Sequence, residues 1–421
     1  MPRPQLPRPA AFWTVAVLLV LMLGASGVPS PLYRVYAEEF GFGSGTLTVV
    51  FAVYAFALLA SLLVVGALSD HVGRRPVLAA ALVLEAVSMV MFLVADGVGW
   101  LLAARVAQGL ATGAFTGAVG AALLDLQRVE RPLGPLVNAA APGLGLSLGA
   151  VGAGLAVEFL PSPTDWVFGL LTVLCLVAAV GVWVSLPESS PRRAGTAASL
   201  VPSVHVPASQ RRAFVVVLPC LVATWALGGL YLSLGPSLVA DVFDRQDHVS
   251  GSLLILALNG TAVVGSLSLG RVSPTRGMVV GALSFVVGVL TTITALAVGS
   301  LALLFVAAVV SGFGFGGAFL GAMATVTAGV DPGERGALLA AVFTASYLGF
   351  SLPSIAAGIA AGHIGLERTA QLYGAFVIVL ALSAVAGLAV RSRRPAVAPA
   401  PAVGPAAAPR PSCPNAAAAV E

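Results

Sequence analysis

Apolar residues recur along the chain in twelve long runs, each bounded by short polar stretches. A helix needs about 20 apolar residues to cross the hydrocarbon of a bilayer, and each run has roughly that length. The sequence therefore predicts an all-α membrane protein with twelve transmembrane helices. The predicted spans are residues 11–33, 45–68, 76–95, 99–124, 134–158, 165–186, 212–234, 250–270, 277–297, 300–325, 336–361 and 370–390.

A polar stretch divides the twelve runs into two sets of six. We therefore predict an N-terminal six-helix bundle over residues 1–186 and a C-terminal six-helix bundle over residues 212–390, joined by a cytoplasmic central loop over residues 187–211. Residues 391–421 are rich in Pro and Ala and are expected to be disordered.

Composition agrees with a membrane protein and excludes several classes of function. Hydrophobic residues make up 58% of the chain and charged residues 9%, with a mean hydropathy of +1.01, whereas a soluble domain carries about 25% charge. No metal-binding or catalytic cluster and no phosphate-binding G-x-x-x-x-G-K-[ST] loop occurs. We expect no enzymatic activity, no metal, no cofactor and no nucleic-acid partner. The expected partners are the lipid bilayer and a small-molecule substrate.

The arginines predict how the chain is oriented. With the N-terminus in the cytoplasm, seventeen of the 21 arginines lie on cytoplasmic segments, whereas only Arg34, Arg245 and Arg368 lie outside. Such a bias places both termini in the cytoplasm. We expect a monomer in the plasma membrane of a bacterium.

The two halves also share sequence features at one offset. Gly66, Ser69 and Gly73 recur 204 residues later as Gly270, Ser273 and Gly277, and Glu130-Arg131 recurs as Glu334-Arg335. The repeat predicts two related bundles with the substrate path at their interface.

The loop after the second span carries the most specific motif. It reads Gly66-Ala-Leu-Ser-Asp70-His-Val-Gly73-Arg74-Arg75 and resembles the cytoplasmic signature of the major facilitator superfamily, G-x-L-[SA]-D-[RH]-x-G-R-[RK]. The resemblance implies the twelve-helix fold of that superfamily, two pseudo-symmetric bundles that transport by alternating access.

The same resemblance implies roles for the charges of this loop. Asp70 is expected to dock against the N-terminus of the eleventh helix near Gly336, where the helix dipole favours an anion. That contact would latch the two halves in the outward-open state, and Arg74 would pair with Asp125. In the alternative interpretation, these charges only anchor the loop at the membrane surface.

Two ionisable residues are predicted to lie inside the membrane. Arg105, Gln108 and Gly109 resemble the second signature of the superfamily, R-x-x-Q-G on helix four. Because a cation in hydrocarbon is costly, Arg105 either snorkels to the outer interface or faces the cavity. Glu85 is either a proton carrier or the structural partner of Arg105, and the peripheral place of helix three in the superfamily favours the structural pair.

The superfamily lines its central cavity with helices one, four, seven and ten. The resemblance therefore nominates cavity residues of mostly aromatic or hydroxyl character, namely Ser30, Tyr33, Gln108, Thr112, Trp225, Tyr231, Phe313 and Phe315. A cavity with few charges suits an apolar or amphipathic molecule.

The direction of transport stays open at this point. Antiporters of the superfamily carry G-x-x-x-G-P-x-x-G-G in the fifth span, but here Gly149 is followed by Ala150 and the final glycine pair is interrupted. We predict proton-linked efflux of an apolar or amphipathic compound, driven by the proton gradient. The alternative is an uptake permease for a sugar or organic acid. A membrane receptor without transport would leave the Asp70 motif unexplained.

Overall fold

The computed structural model describes residues 5–393 except residues 67, 129, 131–132, 191–202 and 246. Within these ranges, twelve helical segments are long and apolar enough to cross a membrane, as the sequence predicts. The helices are α1 (Arg8–Gly27), α2 (Pro29–Phe40), α3 (Ser44–Val65), α4 (Ser69–Val72), α5 (Arg74–Leu93), α6 (Val98–Leu126), α7 (Gly134–Phe159), α8 (Pro163–Ser185), α9 (Arg211–Ser233), α10 (Gly235–Val242), α11 (His248–Leu269), α12 (Pro274–Val298), α13 (Leu301–Thr327), α14 (Pro332–Ile364) and α15 (Leu366–Arg393).

The first span is longer than its apolar run predicts, and a separate short helix follows the seventh span. The first span continues as α2 to Phe40, and α9 is followed directly by α10. Each of these two helix pairs is interrupted at a proline near the start of its second helix. Proline lacks the backbone N–H needed to continue the hydrogen-bond ladder. The apolar run ends earlier because Arg34, Glu38 and Glu39 lie on α2.

The helices pack as two six-span bundles. In the first bundle α6 packs against α3 and α5, α5 also packs against α8, and α1 packs against α7. In the second bundle α13 packs against α11 and α12, and α9 packs against α14 and α15. The bundles meet where α7 contacts α11 and where α3 contacts α14.

The glycines of the fifth span serve helix packing. A Cβ placed on Gly149 of α7 would overlap the backbone of Gly24 on α1, whereas one on Gly152 would meet no described atom within 4 Å. Small residues allow helices to approach closely in lipid, where the hydrophobic effect does not drive association. Close packing of α7 on α1 therefore accounts for Gly149.

Apolar side chains cover the outside of the bundle. On α8, for example, Leu170 is 60% exposed, Val177 64% and Val180 63%. A surface of this kind is stable against lipid rather than water. The chain is a multi-pass membrane protein.

The two bundles are apart at one face and joined at the other. Because the number of described spans is even, the start of α1 and the end of α15 lie on one face, which we call the terminal face. We call the opposite face the distal face. At the distal face Gly358 of α14 lies against Ser44 and Thr48 of α3, and Glu158 accepts a hydrogen bond of 3.0 Å from the backbone N–H of His248.

At the terminal face, the described residues show no such close packing at the two glycines that begin α14. A Cβ on Gly333 or Gly336, at the start of α14, would meet no described atom within 4 Å. Asp70 is about half exposed and pairs within its own bundle. Among the described residues, the structure is therefore closed at the distal face and open at the terminal face.

Candidate functional site

Arg105 lies at the centre of a buried polar network in the first bundle. Arg105 is 1% exposed. Its side chain therefore does not snorkel to the interface, which is one of the two interpretations that the sequence left open. Nε donates to the Tyr33 hydroxyl and Nη1 donates to the side-chain oxygen of Gln108. Because these partners come from the first and fourth spans, the cation is held by the two helices that the superfamily resemblance assigns to the cavity.

Aromatic rings cover the Arg105 guanidinium. Its central carbon lies 5.1 Å from the ring centroids of both Tyr33 and Tyr54, and 5.8 Å from that of Phe92. Cation–π attraction strengthens when water is excluded, so the rings offset part of the cost of burying this charge. Tyr54 and Phe92 were not among the predicted site residues, because ring contacts across three helices leave no local sequence signal.

Gln108 joins Arg105 to Glu85. Its side-chain nitrogen donates to Glu85 Oε1 at 3.0 Å and to the Ala25 carbonyl at 3.1 Å, while its oxygen accepts from Arg105. The predicted partnership of Glu85 with Arg105 is therefore made through the amide in this structure. The second carboxyl oxygen of Glu85, Oε2, is buried and has no hydrogen-bond partner among the described residues.

The other predicted cavity residues of the first bundle are also buried. The Thr112 hydroxyl donates to the Gln108 carbonyl at 2.9 Å and lies 3.3 Å from the Ser26 hydroxyl. Ser30 is buried near the junction of α1 and α2. These hydroxyls extend the polar network along α1 and α6.

The loop between α3 and α5 folds around Arg74. Its guanidinium lies 2.5 Å from Asp70 and 3.4 Å from Asp125, the latter being the partner that the resemblance implies. Arg74 also donates to the Ser69 hydroxyl at 2.5 Å. The expected contact of Asp70 with the N-terminus of α14 is not made in this conformation, in which the terminal face is open.

The neighbouring residues of this loop are fixed by packing. Gly66 lies against Gly117 of α6, where a Cβ on Gly117 would sit 2.8 Å from the Gly66 Cα. Gly73 has φ +108°, a conformation that side chains rarely adopt. The Arg75 guanidinium lies 5.3 Å from the Trp183 ring centroid. All the predicted motif positions thus have identifiable structural roles.

Glu188 is a site residue that the sequence interpretation missed. Its carboxylate accepts from the backbone N–H of Arg74 at 2.7 Å and of Arg75 at 3.3 Å, at the N-terminus of α5. Ser189 adds a hydrogen bond of 3.1 Å to Asp125. An anion at a helix N-terminus is stabilising, so the start of the central loop holds the motif loop in place. The sequence feature that could have indicated this role is an acidic residue directly after the sixth span.

An aromatic cluster lies on the surface of the second bundle that faces the first bundle. Trp225 of α9 contacts Tyr347 of α14, with ring centroids 4.7 Å apart, and Phe319 of α13 at 5.8 Å. Phe315 stacks on Phe319 at 6.4 Å. Phe350 lies 4.9 Å from Phe51 of the first bundle, so the cluster reaches the interface between the bundles.

Two predicted cavity residues of the second bundle have other surroundings. The Tyr231 hydroxyl lies 3.1 Å from Thr292 of α12 and the residue is 2% exposed, which directs it into its own bundle. Phe313 lies where α13 touches Gly265 of α11. Both residues lie on helices that the resemblance nominates, and the Phe313 contact involves its backbone. For Tyr231, helix number alone does not specify that the side chain points into its own bundle.

The N-terminus of α11 closes the distal face. Besides Glu158, it is capped by Asp247, which accepts from the Ser250 backbone N–H at 2.7 Å. The hydrogen bonding from Ser250 holds the pKa of the Asp247 carboxyl below its ordinary value, so this cap is an anion at neutral pH. Two carboxylates from opposite bundles therefore share one helix terminus.

Comparison with known proteins gives one consistent family. A family model described as Major Facilitator Superfamily matches residues 15–352. The MFS transporter paaT of Penicillium rubens is 30% identical over 153 residues, 36% of this chain and 28% of that protein. The inner membrane transport protein YnfM of Escherichia coli K12 is 26% identical over 164 residues, 38% of each chain. The aligned part thus spans less than two fifths of the length of either relative.

Solved structures share the fold at low sequence identity. A bacterial homologue of the human lysosomal transporter Spinster, inward-facing and occupied, matches with a TM-score of 0.71 at 13% identity, over 91% of this chain and 97% of that one. The nucleoside transporter NupG matches with a TM-score of 0.72 at 12% identity, over 90% and 99%. The human organic anion transporter MFSD10 matches at 0.64 and 20%, over 90% and 100%.

Proposed function

The chain belongs to the Major Facilitator Superfamily and is a membrane transporter rather than an enzyme, and on that premise we propose that it exports an apolar or amphipathic small molecule, coupled to proton entry. The observation that carries the proposal is the interface between the bundles. It is closed at the distal face, open at the terminal face, and walled on one side by the aromatic rings around Trp225. Apolar walls with a few polar groups suit such ligands.

The orientation proposed from the arginines assigns each face to one side of the membrane. With both termini in the cytoplasm of a bacterium, the terminal face opens inward, and the structure is the state that loads cargo from the cytoplasm. The alternating state would open the distal contacts of Glu158 and close the terminal face through Asp70 and the N-terminus of α14.

Glu85 is the proposed coupling group. It is the carboxylate that lies deep within a span, it is fully buried, and Gln108 connects it to Arg105. A change in the charge of Glu85 would alter the electrostatic environment of Arg105, because a single amide side chain, that of Gln108, connects the two groups. The proton gradient would serve as energy source without a cofactor, and the transporter is proposed to act as a monomer.

Expression in an efflux-deficient bacterial host tests the proposal. The protein should raise tolerance to at least one lipophilic toxin, and dissipating the proton gradient should abolish that tolerance. Asp70→Asn should lose most of the effect at unchanged membrane abundance, whereas Asp96→Asn, in the distal loop after α5, should keep it. Substrate accumulation instead of tolerance would favour the uptake of a sugar or organic acid.

A second experiment isolates the coupling step. In proteoliposomes, Glu85→Gln should still exchange substrate across the membrane but should no longer concentrate it against a gradient when a pH difference is imposed. If Glu85→Gln expels substrate uphill as the wild type does, Glu85 is not the proton carrier.

A further inference from the structure

Trp225 lies in the middle of α9 and is surrounded by rings. Its indole contacts Tyr347, Phe350 and Phe319 at centroid separations of 4.7, 5.9 and 5.8 Å, each edge to face. We call these four residues together with Phe315 the Trp225 cluster. The rings come from three spans of the second bundle, and Phe350 reaches Phe51 of the first.

The polar atom of Trp225 has no hydrogen-bond partner in the part of the chain that the structure describes. Its indole Nε1 is buried and makes no hydrogen bond to any described residue. Buried tryptophans usually place this donor against an acceptor, and indole nitrogen can only donate. Within the cluster, Trp225 therefore presents one free donor that suits a hydrogen-bond acceptor on a ligand.

Gly228 leaves room for a methyl group next to Phe315 and Phe350. It lies one turn after Trp225, on the same side of α9, and a Cβ there would make ordinary contacts of 3.6 Å to Phe315 and 4.0 Å to Phe350. Backbone packing therefore does not require glycine at this position. By contrast, a Cβ on the adjacent Gly229 would overlap Phe350 and Ser354.

The surroundings of the cluster carry little charge. In the second bundle the residues of α9 after Arg212, and those of α13, include no charged side chain, and on α14 the charges are Glu334, Arg335 and His363 near its two ends. Across the interface, Arg105 is 1% exposed and covered by rings. An ionised ligand would find no exposed counter-charge here and would lose its hydration.

From these features we propose that the Trp225 cluster is the substrate subsite and that it selects a neutral, planar aromatic molecule carrying one hydrogen-bond acceptor, which Trp225 Nε1 engages. Stacking against the rings supplies contact area, and Gly228 keeps the space next to Phe315 and Phe350 free of a side chain. This inference rests on the proposed transport function and narrows its substrate class.

A matched pair of probes tests the donor. Fluorenone and fluorene share one planar skeleton, but only fluorenone has a carbonyl acceptor. Binding of each to the purified, detergent-solubilised protein is measured by the thermal shift it induces across a concentration series. The wild type should bind fluorenone about five- to tenfold more tightly, the value of roughly one hydrogen bond. Trp225→Phe should remove this preference and leave fluorene binding within about twofold.

A matched pair of glycine variants tests the space. Gly228→Ala should weaken the binding of both probes at least about fivefold, because the methyl group occupies the space next to Phe315 and Phe350. Gly235→Ala is the control, since its Cβ also has room, with nearest contacts of 3.7 and 4.0 Å. It should bind both probes as the wild type does. Fluorene-9-carboxylate should bind more weakly than fluorenone.

The inference fails if Trp225→Phe keeps the preference for fluorenone, or if the carboxylate binds as well as the ketone. These outcomes are separate from failure of the proposed function. If the protein confers tolerance to a toxin but Trp225→Phe keeps the preference for fluorenone over fluorene, only the subsite proposal is wrong. A Trp225-dependent preference without transport of any compound would contradict the transport proposal, and the Trp225 cluster would then be a ligand-binding site but not a substrate subsite.

Discussion

Replacing Gln108 by leucine removes the side chain that joins Arg105 to Glu85. Leucine has a similar volume, so the loss is that of hydrogen bonds rather than of packing. Two of these bonds involve ionisable partners, the one from Arg105 and the one of 3.0 Å to Glu85. A hydrogen bond to a charged group contributes about 1.5–3 kcal/mol. We therefore expect Gln108→Leu to lower the free energy of unfolding by about 3–6 kcal/mol.

The matched control is Ser88→Ala. The Ser88 hydroxyl is equally buried and donates one hydrogen bond of 2.8 Å to the Ala104 carbonyl, a neutral bond that contributes about 0.5–1.5 kcal/mol. For a bundle of this size, about 1 kcal/mol shifts the Tm by about 2–4 °C. Gln108→Leu should therefore lose at least about 6 °C, and Ser88→Ala no more than about 6 °C.

The protein supplies its own reporters of unfolding. Cys175 and Cys220 are buried free thiols, one in each bundle, so a thiol-reactive fluorophore reports unfolding of the detergent-solubilised protein during a temperature ramp. The reasoning is refuted if Gln108→Leu loses no more thermal stability than Ser88→Ala. That result would mean that Arg105 and Glu85 find equivalent partners without the amide.

Two further predictions concern packing and the motif loop. Gly149→Ala should lower the Tm because the new Cβ overlaps Gly24, an overpacking that costs about 1–3 kcal/mol. The control Gly152→Ala should be neutral or stabilising, since its Cβ meets no described atom. Equal Tm values for the two variants would contradict the close α1–α7 contact. Glu188→Gln should destabilise the protein by about 1 kcal/mol through loss of the charged cap on α5. The exposed Glu130→Gln serves as its control in the same ramp, and equal behaviour of the two would show that the cap contributes nothing.

Much of the fold was predictable because its causes are local. A run of about 20 apolar residues specifies a span wherever it occurs, so the twelve spans could be read from the chain. The break at Pro29 is local too, but the charges of α2 hid the end of the first span. The motif around Asp70 and Arg74 was also legible, since its residues lie within ten positions of each other.

The site was predictable in its members but not in its connections. Arg105 and Gln108 were nominated together, yet the sequence left open whether Arg105 snorkels, because burial depends on which rings other helices bring over it. Tyr54 and Phe92 cover the guanidinium from two other spans, and no local pattern marks them. Glu188 reaches Arg74 across 114 positions, so only the folded chain reveals this cap.

Local patterns in the sequence were enough to identify a twelve-span membrane transporter of the major facilitator type, because hydropathy and a contiguous motif each depend on neighbouring residues. The folded chain was needed to show that Gln108 mediates between Arg105 and Glu85, that Trp225 Nε1 has no partner among the described residues, and that the distal face is the closed one. These features arise from side chains far apart in the chain, whose distances and orientations are set by how the helices pack.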